Sequence, residues 1–575
     1  MNHKVIGIDL GTTYSAVAAY DDAAMTAVII ADEKGNDTTP SVVGIDPASG
    51  LVIVGAVAKR NAAMNPSNTI IEIKREMGEL FTEASIDRFN ARSGLDGKTF
   101  KKDDAVHVHF NNRWMLPQEI SAFTLMRMAS IAQQNIGQEI RDAVITVPAY
   151  FAANQRKATE DAALLAGLYP RQLIPEPTAA AICYGVDSFD SEQHVYLVYD
   201  LGGGTFDVSI IKVKESAVDV IATSGDRRLG GGDFDDALAY WALQEAKKQG
   251  LDVTNNPVAR AIVKLAAEDT KIILSIATSA NIIVADPVTK RAVTLTIDRP
   301  TFEQLIDTYL QRSLTWVTTA LQDAAKKGIP REAIDAILLV GGSTKIPRVR
   351  QLLLEHFNRD EAFVRFDANP DQLVARGAAM LANKFEPSPP PFDIKRRPSS
   401  SLMKAEIDIP ITLITEYTLG VGVQNDEFDP LITRGTSIPV SIVKTYTNQE
   451  GAPNVIAPIY QGEGMYVYEN TYIGELKIGP IQPAPAGYHQ FETKMSLDQN
   501  GLLSVTVNHK NEGKTYAGDF KHKTTVGGDD ALIAMRQRLV TMFQPIPVYE
   551  PAIPPPPAPP APTDAPSDVV AADAA

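Results

Sequence analysis

Two short stretches hold the residue types that could grip a phosphate. In VYDLGGGTFDVSI, which begins at Val198, an apolar strand ends in Asp200 and opens into Gly202, Gly203 and Gly204, followed by Thr205 and Asp207. Glycines without a Cβ let consecutive backbone N–H groups turn toward one anion. Thr205 adds a hydroxyl, and carboxylates at this spacing suit a hydrated cation. The stretch IGIDLGTTYSAVA, residues 6–18, repeats the order with Asp9, Gly11, Thr12 and Thr13 between two strands. A lone hairpin of this kind is weak evidence, but two, each following a strand, predict a pair of phosphate hairpins facing each other across a cleft. Asp9, Asp200 and Asp207 then belong beside a Mg²⁺, mostly through water, because carboxylates placed directly on phosphates would repel them.

The elements that must position these hairpins alternate. Apolar strands are expected near residues 5–9, 16–20 and 27–30, a helix around 118–136, a strand at 143–147 that stops at Pro148, and a helix at 154–166 closed by Gly167. A second round follows, with strands at 195–200, 206–213 and 217–223, the turn LGGGDFD, and helices near 235–248 and 258–275. Further strands near 282–285, 293–297 and 336–340, and helices near 301–326 and 370–383, complete an α/β region that reads as a duplication around a cleft. The stretch EPSPPPFDIKRRPSSS has no periodicity and reads as a linker. Beyond it come short alternating segments at 418–423, 438–446, 455–460, 472–478 and 502–507, the pattern of an antiparallel β-sandwich, with DQNG at 498–501 as a hairpin turn. One short helix at 529–543 precedes a proline-rich tail expected to be extended and disordered. The boundaries predicted are a two-lobed α/β region over 1–385, a linker over 386–413, a sandwich over 414–526, a short helix over 527–544 and the tail over 545–575.

Composition excludes more than it identifies. A chain of 575 residues needs several domains, and its net charge of −16, without a long basic run, argues against nucleic acid as a partner. A single cysteine, Cys183, rules out an intrachain disulfide and suits a reducing compartment. Asp9 interrupts the first apolar residues, so no secretory signal is expected, and no stretch has the length of a membrane span. A cytoplasmic location follows as the expectation.

The hairpins resemble those of the actin-like ATPase superfamily, and their wording is similar to its seventy-kilodalton heat-shock chaperone branch, the DnaK-like proteins. ITVPAYF at 145–151, EPTAAA at 176–181, LGGGDFD at 229–235 and ILLVGGSTKIPRV at 337–349 agree with that family in order and spacing. The resemblance, which runs from residue 5 to about 525, implies a two-lobed ATPase domain followed by a peptide-binding sandwich. It implies an ATP-dependent chaperone that hydrolyses ATP to ADP with Mg²⁺ and K⁺ and binds extended apolar segments of unfolded proteins. A J-domain co-chaperone and a nucleotide-exchange factor are its implied partners. Residue by residue, it makes Lys74 the catalytic lysine, with Thr205, Glu176 and Asp200 completing the hydrolytic set. Gly11, Thr12, Thr13, Tyr14 and Gly202, Gly203, Gly204 become phosphate or metal contacts. Glu268, Lys271 and Ser275, which share one helix face, hold the adenosine with Gly341, Gly342, Ser343 and Asp371 nearby. Pro148, Arg156 and Asp408 relay nucleotide state to the sandwich, where Val421, Tyr446 and Val455 line the peptide groove.

Departures from the family pattern carry expectations of their own. The inter-domain linker corresponds to DIPITLITEYTLG, where Pro410 and Thr412 interrupt the apolar run. A linker that docks as a strand loses one donor at Pro410, which predicts weakened coupling. Gln172 and Pro175 stand where Arg and Asn are the rule, predicting an altered co-chaperone surface. Gln424 replaces an apolar arch over the peptide, Ala457 replaces a larger aliphatic residue, and the helical lid has no counterpart, since the last helix spans only about 22 Å. A nucleotide-switched scaffold is the alternative reading. A small-molecule kinase of the same superfamily would have no use for the sandwich.

Overall fold

The computed structural model describes residues 4–62, 64–81, 99–102, 105–186, 193–214, 217–367, 369–398, 409–517 and 526–543. Asp408 and the proline-rich tail lie outside the described residues. In the first lobe, strands run in the order Tyr169–Pro175, Asp142–Val147, Ile6–Asp9, Tyr14–Asp21 and Thr26–Ile29. In the second, they run Val364–Arg365, Ala336–Val340, Gln193–Leu201, Phe206–Lys214 and Ala217–Asp226. Each hairpin strand, Ile6–Asp9 and Gln193–Leu201, is parallel to one neighbour and antiparallel to the strand that follows its hairpin. The two lobes therefore share order and sense, which is the duplication read from the hairpins. The helices Glu176–Val186 and Leu373–Ala382 pack closely between them. The contact between the two helices needs glycine: a Cβ on Gly377 would collide with the carbonyl oxygen of Ala179.

Several elements differ from expectation for local reasons. The helix Gly231–Lys248 starts four residues early, because Asp233 in its first turn accepts the Gly230 N–H at 2.8 Å and caps the glycine turn. The strand expected over 438–446 is broken by Pro439 into Ser437–Ile438 and Val440–Thr447. Tyr169–Pro175 and the helix Pro347–Phe357 were not anticipated.

The sandwich consists of two four-stranded sheets. One is ordered Phe428–Ile432, Leu419–Gly422, Val455–Gln461 and Thr471–Ile478; the other is Val440–Thr447, Gln490–Leu497, Leu503–His509 and Lys514–Ala517. Ile459, Phe491, Met495 and Val507 fill the space between them. Residues 386–398 form neither helix nor strand, yet they lie against the first lobe, where Ile394 is buried, instead of spanning open space as a linker would. The strand Ile411–Ile414 then pairs in parallel with Ala217–Asp226 and antiparallel with Ser437–Ile438. The second sheet thus runs through seven strands, from the first domain into the sandwich. Pro410 does not prevent this: the ladder uses its carbonyl, which accepts the Val218 N–H at 2.8 Å. The helix Gly528–Met542 packs on Ala153–Ala166 and Pro117–Ile136 of the first lobe. No helix among the described residues is long and apolar enough to cross a membrane.

Candidate active site

The parallel strands of both lobes end at the cleft, and there the two hairpins meet. Gly203 faces Thr13, and Gly204 faces Thr12 and Arg75, so closely that neither glycine has room for a side chain. The Gly202 N–H donates to the Thr205 carbonyl at 3.1 Å, closing the second hairpin. The turn that follows braces it, Gly231 and Gly232 donating to the carbonyls of Gly202 and Gly203 at 3.0 and 2.7 Å. Ser343 adds its hydroxyl to the Gly202 carbonyl at 2.9 Å. With carbonyls turned into the protein, the Gly203 and Gly204 N–H groups keep no protein acceptor among the described residues, as an anion cradle requires.

Buried carboxylates surround one ammonium. Lys74 is buried and bonded to Glu176 at 2.5 Å, with the Phe151 ring 5.7 Å from its nitrogen. Asp9 accepts from the Thr146 hydroxyl at 2.9 Å, and Asp207 accepts from the Tyr150 N–H at 3.0 Å. Burial, then the charge of Glu176, pushes Asp9 up to about 7 and Asp207 up to about 8. The same causes, with Asp207 and Asp9 added, hold Asp200 well above the usual carboxylate range. The second oxygen of Asp207 is buried without a hydrogen-bond partner. Asp9, Glu176, Asp200 and Asp207 together exceed what Lys74 neutralises, and that imbalance fits a hydrated divalent cation. No three His, Cys, Asp or Glu side chains among the described residues converge tightly enough to hold a metal directly.

Other sequence-assigned residues are arranged differently. Tyr14 turns its hydroxyl across the cleft to Glu268 at 3.0 Å, and Lys59 bridges both, 2.9 Å from Tyr14 and 2.7 Å from Glu268. This three-residue tie joins the lobes and directs the Tyr14 hydroxyl toward Glu268. Lys271 binds the Gly231 carbonyl at 3.0 Å and Asp235 at 2.8 Å, while the Ser275 hydroxyl turns back onto its own helix at the Lys271 carbonyl. Asp371 is paired with Lys345 at 3.0 Å. Gly341 keeps φ at +83°, where a side chain would strike Leu201. A cavity of about 300 Å³ opens between the lobes beside Thr12, Thr13 and Glu268, floored by Val42, Ile71 and Leu265. Lys271, Ser275 and Ser343 lie outside its lining.

Sequence reasoning passed over Lys59, Phe151 and Arg75. Arg75 is buried and reaches Asp233 at 3.1 Å and the Gly203 carbonyl at 3.3 Å, bracing the hairpin from the first lobe. Its place beside Lys74 was the available signal.

Arg156 joins the first domain to the sandwich. Its buried guanidinium pairs with Glu416, just past the linker strand, and donates to the carbonyls of Phe151 at 3.2 Å and Asn500 at 3.4 Å. Asn500 in turn accepts the Leu173 N–H at 3.1 Å. Pro148 ends the strand Asp142–Val147 just before Tyr150, whose ring lies 4.7 Å from that of Tyr417. Of the expected groove residues, Val421 is buried in the sandwich core, Tyr446 donates to Asp429 at 2.7 Å, and Val455 is half-buried.

A family model described as Hsp70 protein matches residues 5–539. The chain is 39% identical over 521 residues to a ribosome-associated molecular chaperone of Eremothecium gossypii, covering 89% of this chain and 80% of that protein. It is 38% identical over 518 residues to a ribosome-associated molecular chaperone of Candida glabrata, with the same coverage.

Proposed function

The chain belongs to the Hsp70 family, and we propose that it is an ATP-dependent molecular chaperone that couples ATP hydrolysis in the two-lobed cleft to binding of extended apolar segments in the sandwich. The observation that carries the reading is the continuous second sheet. The strand that delivers Asp200 and the glycine hairpin shares this sheet with the linker strand Ile411–Ile414 and with Ser437–Ile438 of the sandwich.

Thr12, Thr13, Gly203, Gly204 and Thr205 would hold the phosphates of ATP, and Asp9, Asp200 and Asp207 would hold Mg²⁺ through water. The cation would neutralise the phosphates and the buried carboxylates at once. Lys74, held in place by Glu176, would position the attacking water and offset negative charge developing on the transferred phosphoryl group. Arg75 keeps the second hairpin in register with the first. Glu268, which lines the cavity, would face the adenosine, and Lys271 and Ser275 follow it on the same helix, outside the cavity lining. A change in cleft opening would reach the sandwich through the linker strand and Arg156. Newly made polypeptides in the cytoplasm are the proposed clients, in line with the ribosome-associated relatives, and a J-domain protein and an exchange factor are proposed partners.

A second reading, a nucleotide-switched scaffold, is favoured by the exposed Gln424 at the groove and by the last helix lying on the first lobe. Titrating a labelled apolar heptapeptide against the full chain in ADP and in ATP separates the two. The chaperone reading expects peptide to leave at least about tenfold faster in ATP, a difference of about 1.4 kcal/mol. Equal release in both nucleotides would sink it in favour of the scaffold.

A further inference from the structure

The sandwich lies between two segments that are both fastened to the first lobe. Ahead of it, the strap 386–398 runs along the edge formed by Asp142–Val147 and Tyr169–Pro175. Asp142, buried at 1% exposure, accepts from the Ser388 N–H at 2.8 Å, the Ser388 hydroxyl at 2.5 Å and Arg171 at 3.1 Å. The Phe392 ring lies 4.5 Å from that of Tyr169, whose hydroxyl takes the Asp393 N–H at 2.7 Å. Behind the sandwich, the helix Gly528–Met542 sets Leu532 and Leu539, 2% and 0% exposed, into the same apolar core as Val43, Phe123 and Leu164. Phe543 stacks on Phe123 at 6.2 Å.

The first lobe also draws on the segment from Val526 through this helix for its own buried carboxylates. Glu119, 2% exposed, pairs with Arg538, and Asp161, 0% exposed, accepts the Val526 N–H at 3.3 Å besides its bond to Lys157 at 2.6 Å. Helix and strap are joined as well: Arg397 reaches Asp529 at 2.6 Å, Lys395 reaches Asp530 at 2.8 Å, and the Arg536 guanidinium lies 5.0 Å from the Phe392 ring centre. Those exposed pairs contribute little by themselves and serve to align the two segments. The hold comes from burial, since peeling the helix away would uncover Leu532, Leu539 and Phe123 together.

From this we propose that strap and C-terminal helix are permanent parts of the first lobe, so that the sandwich is a loop anchored at both ends in every nucleotide state. Ten residues, 399–408, lead from the strap toward the linker strand, and eight, 518–525, lead back to the helix. Fully extended, ten residues reach about 35 Å. The sandwich therefore opens locally, by release of Ile411–Ile414, and stays at high effective concentration beside the lobes. In this chain the last helix is an anchor for the sandwich and not a remnant of a cover for the groove.

The inference rests on the proposed nucleotide cycle only where ADP and ATP are compared. The test is hydrogen exchange on the full chain without nucleotide, with Mg²⁺ and ADP, and with Mg²⁺ and a non-hydrolysable ATP analogue. Amides of residues 528–542 are expected to exchange at rates within about threefold of one another in all three conditions. Any larger acceleration in ADP or without nucleotide overturns the anchor. Peptides covering residues 202–205 and 411–414 report nucleotide binding and linker release in the same run. Failure of the ATP reading would leave those two unchanged, whereas failure of the anchor would appear in the helix alone.

Discussion

Two groups of buried carboxylates in this molecule are treated in opposite ways. In the first lobe, Asp142, Glu119 and Asp161 are each completed from within the chain, by Arg171 and Ser388, by Arg538, and by Lys157 and the Val526 amide. In the cleft, Asp9, Asp200, Asp207 and Glu176 crowd around Lys74, and Asp207 keeps one buried oxygen with no partner. Burying a carboxylate is costly in both places. A region that offsets this cost internally is structural, and a region that leaves it uncompensated is where the proposed function places its cation and phosphates. Burial alone does not distinguish them; completeness of the partners does.

The largest effect that would break this distinction lies in the cleft. Lys74→Ala removes the ammonium at the centre of those carboxylates, and Thr205→Ala removes a hydroxyl of the second hairpin. Each is expected to lower steady-state ATP turnover about a hundredfold or more, near 2.7 kcal/mol in barrier height. Turnover unchanged in both variants would make the cleft carboxylates as structural as Asp142, and the contrast would collapse.

A smaller effect is expected on the completed side. Leu539→Ala leaves a cavity where the last helix meets the first lobe, with Leu539 0% exposed. It should cost about 2–3 kcal/mol of stability in denaturant unfolding, with turnover per folded molecule unaltered. A loss below about 0.5 kcal/mol would mean that the helix is only loosely applied, and that the partners of Glu119 and Asp161 are dispensable.

How much of this could be read in the sequence depends on how local the signal was. Asp9 and Asp200 are displayed by strand, glycine and threonine spacing within a dozen residues, and the structure brings both hairpins together as that spacing predicts. The resemblance puts Tyr14 at the phosphates, and the direction of its side chain depends on Lys59 and Glu268, the latter 254 positions away. Pro410 was read as a lost donor, when the ladder at that point asks for an acceptor. The strap looked like a linker because it has no periodicity. Its order comes from Asp142 and Tyr169, contacts about 220 to 250 positions distant that composition cannot register. The resemblance puts Val421 in the groove, and its alternation on a strand fits the buried core position it occupies.

The smallest effect probes the contrast from outside both regions. In the sandwich, His489 and His509 are buried side by side, His509 Nε2 lying 2.9 Å from His489 Nδ1 and His489 Nε2 lying 2.7 Å from the Gln482 carbonyl. That carbonyl can only accept, so His489 donates to it from Nε2 and receives the His509 proton at Nδ1. The other nitrogen of His509 is buried 3.7 Å from Glu512, too far for a hydrogen bond. Burial lowers the His509 pKa below 6.5; Glu512 opposes the shift, and His489 and Lys514 reinforce it. The folded sandwich then binds fewer protons than the unfolded chain near and below pH 6.5, so its stability must fall as pH drops through that value. Thermal unfolding of the sandwich should move to lower temperature between pH 7.5 and 5.5, by less than the Leu539→Ala loss, and His509→Gln should flatten that slope. A slope that persists in His509→Gln would assign the pH dependence elsewhere. A slope absent from the parent chain would mean that Glu512 moves in to complete the imidazolium, placing His509 with Asp142 among the groups the chain satisfies by itself.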